Sequence, residues 1–119
     1  MNDNDKIIKV AMDIIIKAGD ARLYITKALE AICLQDFVSA DDNLKTAQEK
    51  IVSAHDIQTD IIQGAANGVE EYEKYNILFA HAQDTLMTIT SELNIAKEIV
   101  NIYRSYEKRI RALEEKMLK

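Results

Sequence analysis

Residues 79–103 read FAHAQDTLMTITSELNIAKEIVNIY. Their apolar positions are Phe79, Ala82, Leu86, Ile89, Leu93, Ala96, Val100 and Tyr103, in steps of three and four. A spacing that averages about 3.5 keeps one stripe of a helix turned toward a partner helix. The same signal runs upstream. It passes through Ile7, Ala11, Ile14, Ala18, Ala21, Ile25, Ala28 and Ile32. It returns through Ala40, Leu44, Ala47, Ile51, Ala54, Gln58, Ile61 and Ala65. Three stripes predict three helices of about 30 residues, roughly 45 Å each at about 1.5 Å per residue.

The breaks between them are short. Leu34 to Val38 interrupts the first stripe, and Ser39 with Asp42 reads as a variant capping box opening the second helix. Gly64, Asn67 and Gly68 signal its end. An acidic stretch, Val69 to Tyr75, leads to Asn76, a candidate N-cap for the third. Short connections make neighbouring helices antiparallel. The expected fold is an all-α, up-down-up three-helix bundle, a single domain over residues 1–119. Beyond Tyr103 the stripe re-phases through Tyr106, Ile110, Leu113 and Met117, so residues 103–119 read as a helical C-terminal extension. Ile8, Ile15, Leu29, Ile57, Ile62, Leu78 and Ile99 lie outside the main stripes. So wide an apolar surface exceeds what one bundle needs and implies packing between protomers.

Composition agrees. The 119 residues contain no proline, no tryptophan and three glycines, too few turn formers for an all-β chain. The net charge of −5 disfavours nucleic acid. Residues 103–119 carry six bases against three acids, the pattern of a solvated helix end favoured by the helix dipole. No apolar run approaches the roughly 18 residues of a membrane span. Met1 to Lys6 does not read as a signal peptide. The lone Cys33 excludes an internal disulfide, fits a reducing compartment, and beside Ile32 and Leu34 reads as packing.

Few residues offer chemistry. Neither His55 nor His81 has a glutamate three positions earlier, so a di-iron Glu-x-x-His bundle does not fit. His55 and Gln58 read as structural hydrogen bonders on the second helix, Asp20 and Arg22 as buried polar links or interface pairs, and Tyr75, Tyr103 and Tyr106 as caps on packing surfaces. In His81-Ala82-Gln83-Asp84-Thr85-Leu86-Met87, Asp84 and Thr85 fall at i+3 and i+4 from His81 and share its face. The residues alone admit a reactive histidine or a surface histidine beside a solvated carboxylate.

The segment His81-Ala82-Gln83-Asp84 with Leu86-Met87 resembles the signature of the enzyme IIA component, lactose/cellobiose branch, of the bacterial phosphoenolpyruvate-dependent sugar phosphotransferase system. Ala18-Gly19-Asp20-Ala21-Arg22 is similar to the family's first-helix motif, and Ala54-His55 with Gln58-Thr59 to its second. The resemblance implies a cytoplasmic homotrimer of nine helices. In it, His81 is phosphorylated at Nε2 by phospho-HPr and passes the group to a cysteine of a sugar-specific IIB component. A membrane IIC component then moves a β-linked di- or oligosaccharide of the cellobiose, diacetylchitobiose or lactose class. The resemblance also implies that Asp84 faces the trimer axis and that its three copies share one divalent metal, Mg²⁺ by the hardness of the donors. Many relatives carry a second histidine where this chain has Thr85. With Gln83, Thr85 is a candidate hydrogen-bond partner for the phosphate. The alternative is a non-catalytic helical bundle that serves as an interaction or scaffold module.

Overall fold

The computed structural model describes the backbone of residues 3–69 and 76–119, and side chains from residue 6 onward within them. Three helices make up the fold: α1 (Asp3–Cys33), α2 (Phe37–Ala66) and α3 (Ile77–Met117). They form an antiparallel up-down-up bundle. α1 packs against both others, and α2 and α3 share the smallest interface. All eight stripe residues of α1 are buried, as are Ala40, Leu44, Ala47, Ile51, Ala54 and Ile61 on α2 and Ala82 through Val100 of the α3 stripe. Alanines recur among them (Ala11, Ala18, Ala28, Ala47, Ala54 and Ala82 are wholly buried), so the helices approach closely while Ile14, Leu86, Ile89 and Leu93 fill the layers between.

Ion pairs tie the helices at their edges. Arg22 of α1 donates two hydrogen bonds to Glu92 of α3, at 2.9 and 2.8 Å. Lys50 of α2 lies 3.9 Å from Asp20, and Arg104 reaches Asp41 at 2.6 Å. The Glu92 hydrogen bond holds the Arg22 guanidinium above its ordinary range. Asp20 and Arg22 are thus exposed inter-helix partners rather than buried links, and no polar side chain is fully buried among the described residues. Surface pairs of this kind set the alignment of helices more than they stabilise the fold.

The helix ends correct the sequence reading in two places. α2 begins earlier than the Ser39/Asp42 box implied: Asp36 is the N-cap, and its carboxylate accepts from the Ser39 N–H at 3.0 Å. α3 exceeds the 30 residues its stripe marked and runs to 41, because residues 103–117 continue it as the helical extension expected from the re-phased stripe. The long third helix gives a rod of 73 × 21 × 18 Å. Asn76 caps α3 as expected, its side chain accepting from Phe79 N–H at 3.0 Å. Of the acidic connection, residues 70–75, including Tyr75, lie outside the described residues.

α1 and α2 end in the same way. Asp36 N–H bonds to Ala31 O and Gln35 N–H to Ile32 O, both at 3.0 Å. Val69 N–H bonds to Gly64 O at 2.9 Å and Gly68 N–H to Ala65 O at 3.1 Å. Each is the paired closure of a helix whose next residue turns left-handed. Gly68 takes that position at φ +84°, but after α1 it falls to Gln35 at φ +58°. A side chain there costs about 1–2 kcal/mol. Gln35→Gly is therefore expected to stabilise the chain by about 0.5–1 kcal/mol, since glycine's larger unfolded-state entropy offsets part of the relief. Chemical denaturation of both proteins measures it, and an unchanged or lower midpoint contradicts it.

Candidate functional site

His81 sits five residues past the Asn76 cap, on the solvent-facing side of α3's second turn. Its neighbours explain its exposure. Ala82 and Leu86 turn inward and are fully buried, which fixes the rotation of the helix and sends His81 and Asp84 outward. Gln83 and Thr85 flank them, half-buried. The Thr85 hydroxyl donates to the His81 carbonyl at 2.8 Å, so its proton is already committed to the helix and its oxygen remains free to accept. The imidazole of His81 and the carboxylate of Asp84 make no hydrogen bond or ion pair among the described residues. The site is an exposed imidazole on a helix face, near a helix start whose dipole favours negative charge.

Asp84 is one carboxylate per chain. Among the described residues no three His, Cys, Asp or Glu side chains of one chain converge to hold an ion. The described residues of one chain therefore do not supply a metal site by themselves. An exposed Asp84 fits one only if copies of it meet between chains.

The other singled-out residues fall elsewhere. His55 is exposed and has no hydrogen-bond partner among the described residues. Gln58 keeps its place in the stripe, but its Oε1 is buried without a partner among them. The expectation that both are hydrogen bonded is thus not met among the described residues. Cys33 is exposed, not packed, because α1 ends there and Leu34 beyond it is also exposed. Tyr103 and Tyr106 are more than half exposed. Sequence reasoning missed the groove of about 520 Å³ where the start of the α3 extension passes the end of α1, walled by Ile32, Phe37, Tyr103 and Ile110. The re-phasing at Tyr103 was its only signal.

By fold and site this is a helical bundle that presents an unpaired histidine from a rigid helix. Residues 9–104 match the family described as PTS system, Lactose/Cellobiose specific IIA subunit. The chain is 34% identical over 113 residues to the PTS system cellobiose-specific EIIA component of Lactococcus lactis, covering 95% of this chain and 92% of that protein. The structure of the PTS cellobiose-specific enzyme IIA from Bacillus anthracis superposes with a TM-score of 0.78 at 30% identity, covering 91% of this chain and 94% of that one. The IIA(Chitobiose) of Escherichia coli, solved in complex with HPr, superposes with a TM-score of 0.74 at 26% identity over 85% of this chain and 96% of that one. The chain belongs to the lactose/cellobiose IIA family of the phosphotransferase system. It is a phosphotransferase-system component, and no described helix is long and apolar enough to cross a membrane.

Proposed function

We propose that this chain is a cytoplasmic phosphoryl carrier whose acceptor is His81. The observation that carries the reading is the placement of His81-Ala82-Gln83-Asp84 on an outward, unencumbered face of α3 in a chain of this family. A structural relative solved with HPr supports HPr as the donor. His81 Nε2 attacks the phosphorus held by phospho-HPr. The new N–P bond forms as the bond to the donor breaks, and that electron pair returns to the donor. A cysteine thiolate of the IIB component then takes the phosphoryl group, and the electron pair of the N–P bond returns to His81. Imidazole suits both steps: it is nucleophilic when neutral, and its phosphorylated form is a good leaving group. The protein supplies position and electrostatics. Gln83 is a candidate donor to the phosphate, although two positions along the helix turn it away from the His81 face, and Thr85 would donate only by releasing the His81 carbonyl.

The whole of residues 1–119 acts as one unit, with 103–119 as its helical extension, and the working form is a homotrimer. Asp84 from the three copies would hold one divalent ion, whose charge would offset the repulsion among the carboxylates. Oxygen donors of this hardness suit Mg²⁺. The cellobiose-specific relatives support a β-linked di- or oligosaccharide, moved by the IIC component, as the sugar served.

Incubation with phosphoenolpyruvate, enzyme I and HPr, read by intact mass, tests the carrier reading. The chain is expected to gain one phosphoryl group, and His55→Ala to gain it equally, since His55 stands apart from the His81 motif. A wild-type chain that stays unlabelled would leave the scaffold reading in its place. Loss of label in His55→Ala would move the acceptor to α2.

A further inference from the structure

Past the bundle, α3 carries a charged face that neither the fold nor the candidate site uses. Every residue from Lys108 to Lys119 is exposed, because α1 ends at Cys33 and α2 begins at Phe37, and neither follows α3 further. At about 100° per residue, Arg104, Lys108, Arg109, Arg111 and Lys116 fall within one half of the helix circumference. Between residues 104 and 117 that half holds one acid, Glu115. Glu107 and Glu114 lie instead beside Tyr106, Ile110, Leu113 and Met117 on the other half, so the basic half stays open whatever covers the apolar one. Two of its bases are paired, Arg104 with Asp41 and Arg111 with Glu107, both at 2.6 Å. Lys108, Arg109, Lys116 and, past the helix end, Lys119 have no carboxylate partner among the described residues. The helix dipole does not account for them as a group, since it acts over the last turn and only Lys116 lies there.

We propose that this basic half of the extension is a docking surface for a bilayer that carries anionic phospholipid. Two observations choose that occupant. The first is charge. An anionic headgroup layer attracts Lys and Arg side chains that come within about a Debye length of it. The chain as a whole carries −5, so the same layer draws in the extension and repels the rest of the rod. Attraction at one end and repulsion along the remainder orient the molecule. His81 lies about 40 Å up the helix from Lys108, at about 1.5 Å per residue, and stays in solution for its protein partners. The second observation is what the basic half lacks. From residue 104 to 117 it holds no aromatic and no large apolar side chain, and Ala112 is its one apolar residue. A protein interface is anchored by a few such side chains in desolvated pockets. Long, mobile bases without an anchor suit a layer of distributed charge instead. The inference goes beyond the carrier reading and does not rest on it. It gives a task to the extension, which begins where the family match ends, at residue 104.

The test pellets the full chain with sucrose-loaded vesicles, either equal parts phosphatidylglycerol and phosphatidylcholine or phosphatidylcholine alone, at low and at high salt. The protein is expected to pellet with the anionic vesicles at low salt, to be released at high salt, and to stay off phosphatidylcholine. Lys108→Glu with Lys116→Glu is expected to weaken binding roughly tenfold or more. Lys108→Gln with Lys116→Gln, which adds no negative charge, should fall between that variant and the wild type. Lys9→Glu with Lys45→Glu makes the same charge change away from the face and is expected to bind as the wild type does. All four positions are exposed, so none of these changes disturbs the bundle core, and circular dichroism checks helicity. Labelling of His81 by phospho-HPr is measured without vesicles, so the carrier reading and this one fail separately. A wild-type chain that stays off the anionic vesicles overturns the proposal, as does equal binding to both kinds of vesicle. Equal losses in the Lys108/Lys116 and Lys9/Lys45 reversals overturn the assignment to this face. Tighter binding to duplex DNA at the same salt overturns the choice of a bilayer.

Discussion

His81→Ala is expected to take no label from phospho-HPr while retaining wild-type helicity. The residue is exposed and makes no hydrogen bond or ion pair among the described residues, so the fold does not depend on its side chain. Surface substitutions away from caps and cores change stability by about 0.5 kcal/mol or less. In the proposed carrier role, by contrast, phosphoryl acceptance depends wholly on the ring nitrogen: alanine offers no nucleophile, and no other histidine shares the motif. The expected effect is complete loss of the mass increase, against circular dichroism and a melting temperature close to wild type. Equal labelling of the variant would show that the acceptor lies elsewhere.

Asp84→Leu is expected to melt above the chelated wild-type protein and to lose any response to Mg²⁺. In the trimer proposed above, three carboxylates meet near one axis. At about 4 Å each pair repels by roughly 1 kcal/mol in water and about 4 kcal/mol at an effective dielectric of about 20. A divalent ion offsets that repulsion, and its removal leaves the repulsion in force. Leucine removes the charges and adds apolar area where the three copies would meet, so the variant should gain about 5 °C or more over the chelated wild type. Its His81 should still accept a phosphoryl group, because the role proposed for the carboxylate is in assembly and not in transfer. Thermal melting of both proteins, with and without chelator, measures this. A variant that melts below the chelated wild type, or one still stabilised by Mg²⁺, contradicts the placement of the metal.

The bundle was legible because its signal is redundant. Eight apolar residues at helical spacing mark α1, and every one of them is buried. Asn76 and Gly68 were legible for a local reason: a side chain able to cap and a residue free to turn left-handed act through their immediate neighbours. The end of α1 was harder, because Gln35 adopts the left-handed turn without glycine's signature, and Asp36 rather than Ser39 closes the loop as N-cap. The polar partners were less legible still. Arg22 finds Glu92 seventy residues away, a pairing that depends on how α1 and α3 align and that no local pattern encodes. Gln58 shows the limit of reading burial from a stripe. Its position was correct, but the bond expected for its Oε1 is not made within the described residues. His81 stood out by its motif, and its exposure follows from Ala82 and Leu86 turning inward.

The carrier role requires that the group arrive at His81 and also leave it. The most direct measurement labels the chain through phosphoenolpyruvate, enzyme I and HPr, removes the donors, adds a IIB component of the cellobiose class, and follows both proteins by intact mass. The carrier role predicts that the phosphoryl mass disappears from this chain as it appears on IIB. It also predicts that peptide mapping of the labelled chain before the chase places the group on His81. A label that remains on this chain while IIB stays unmodified, or one that maps away from His81, would contradict it.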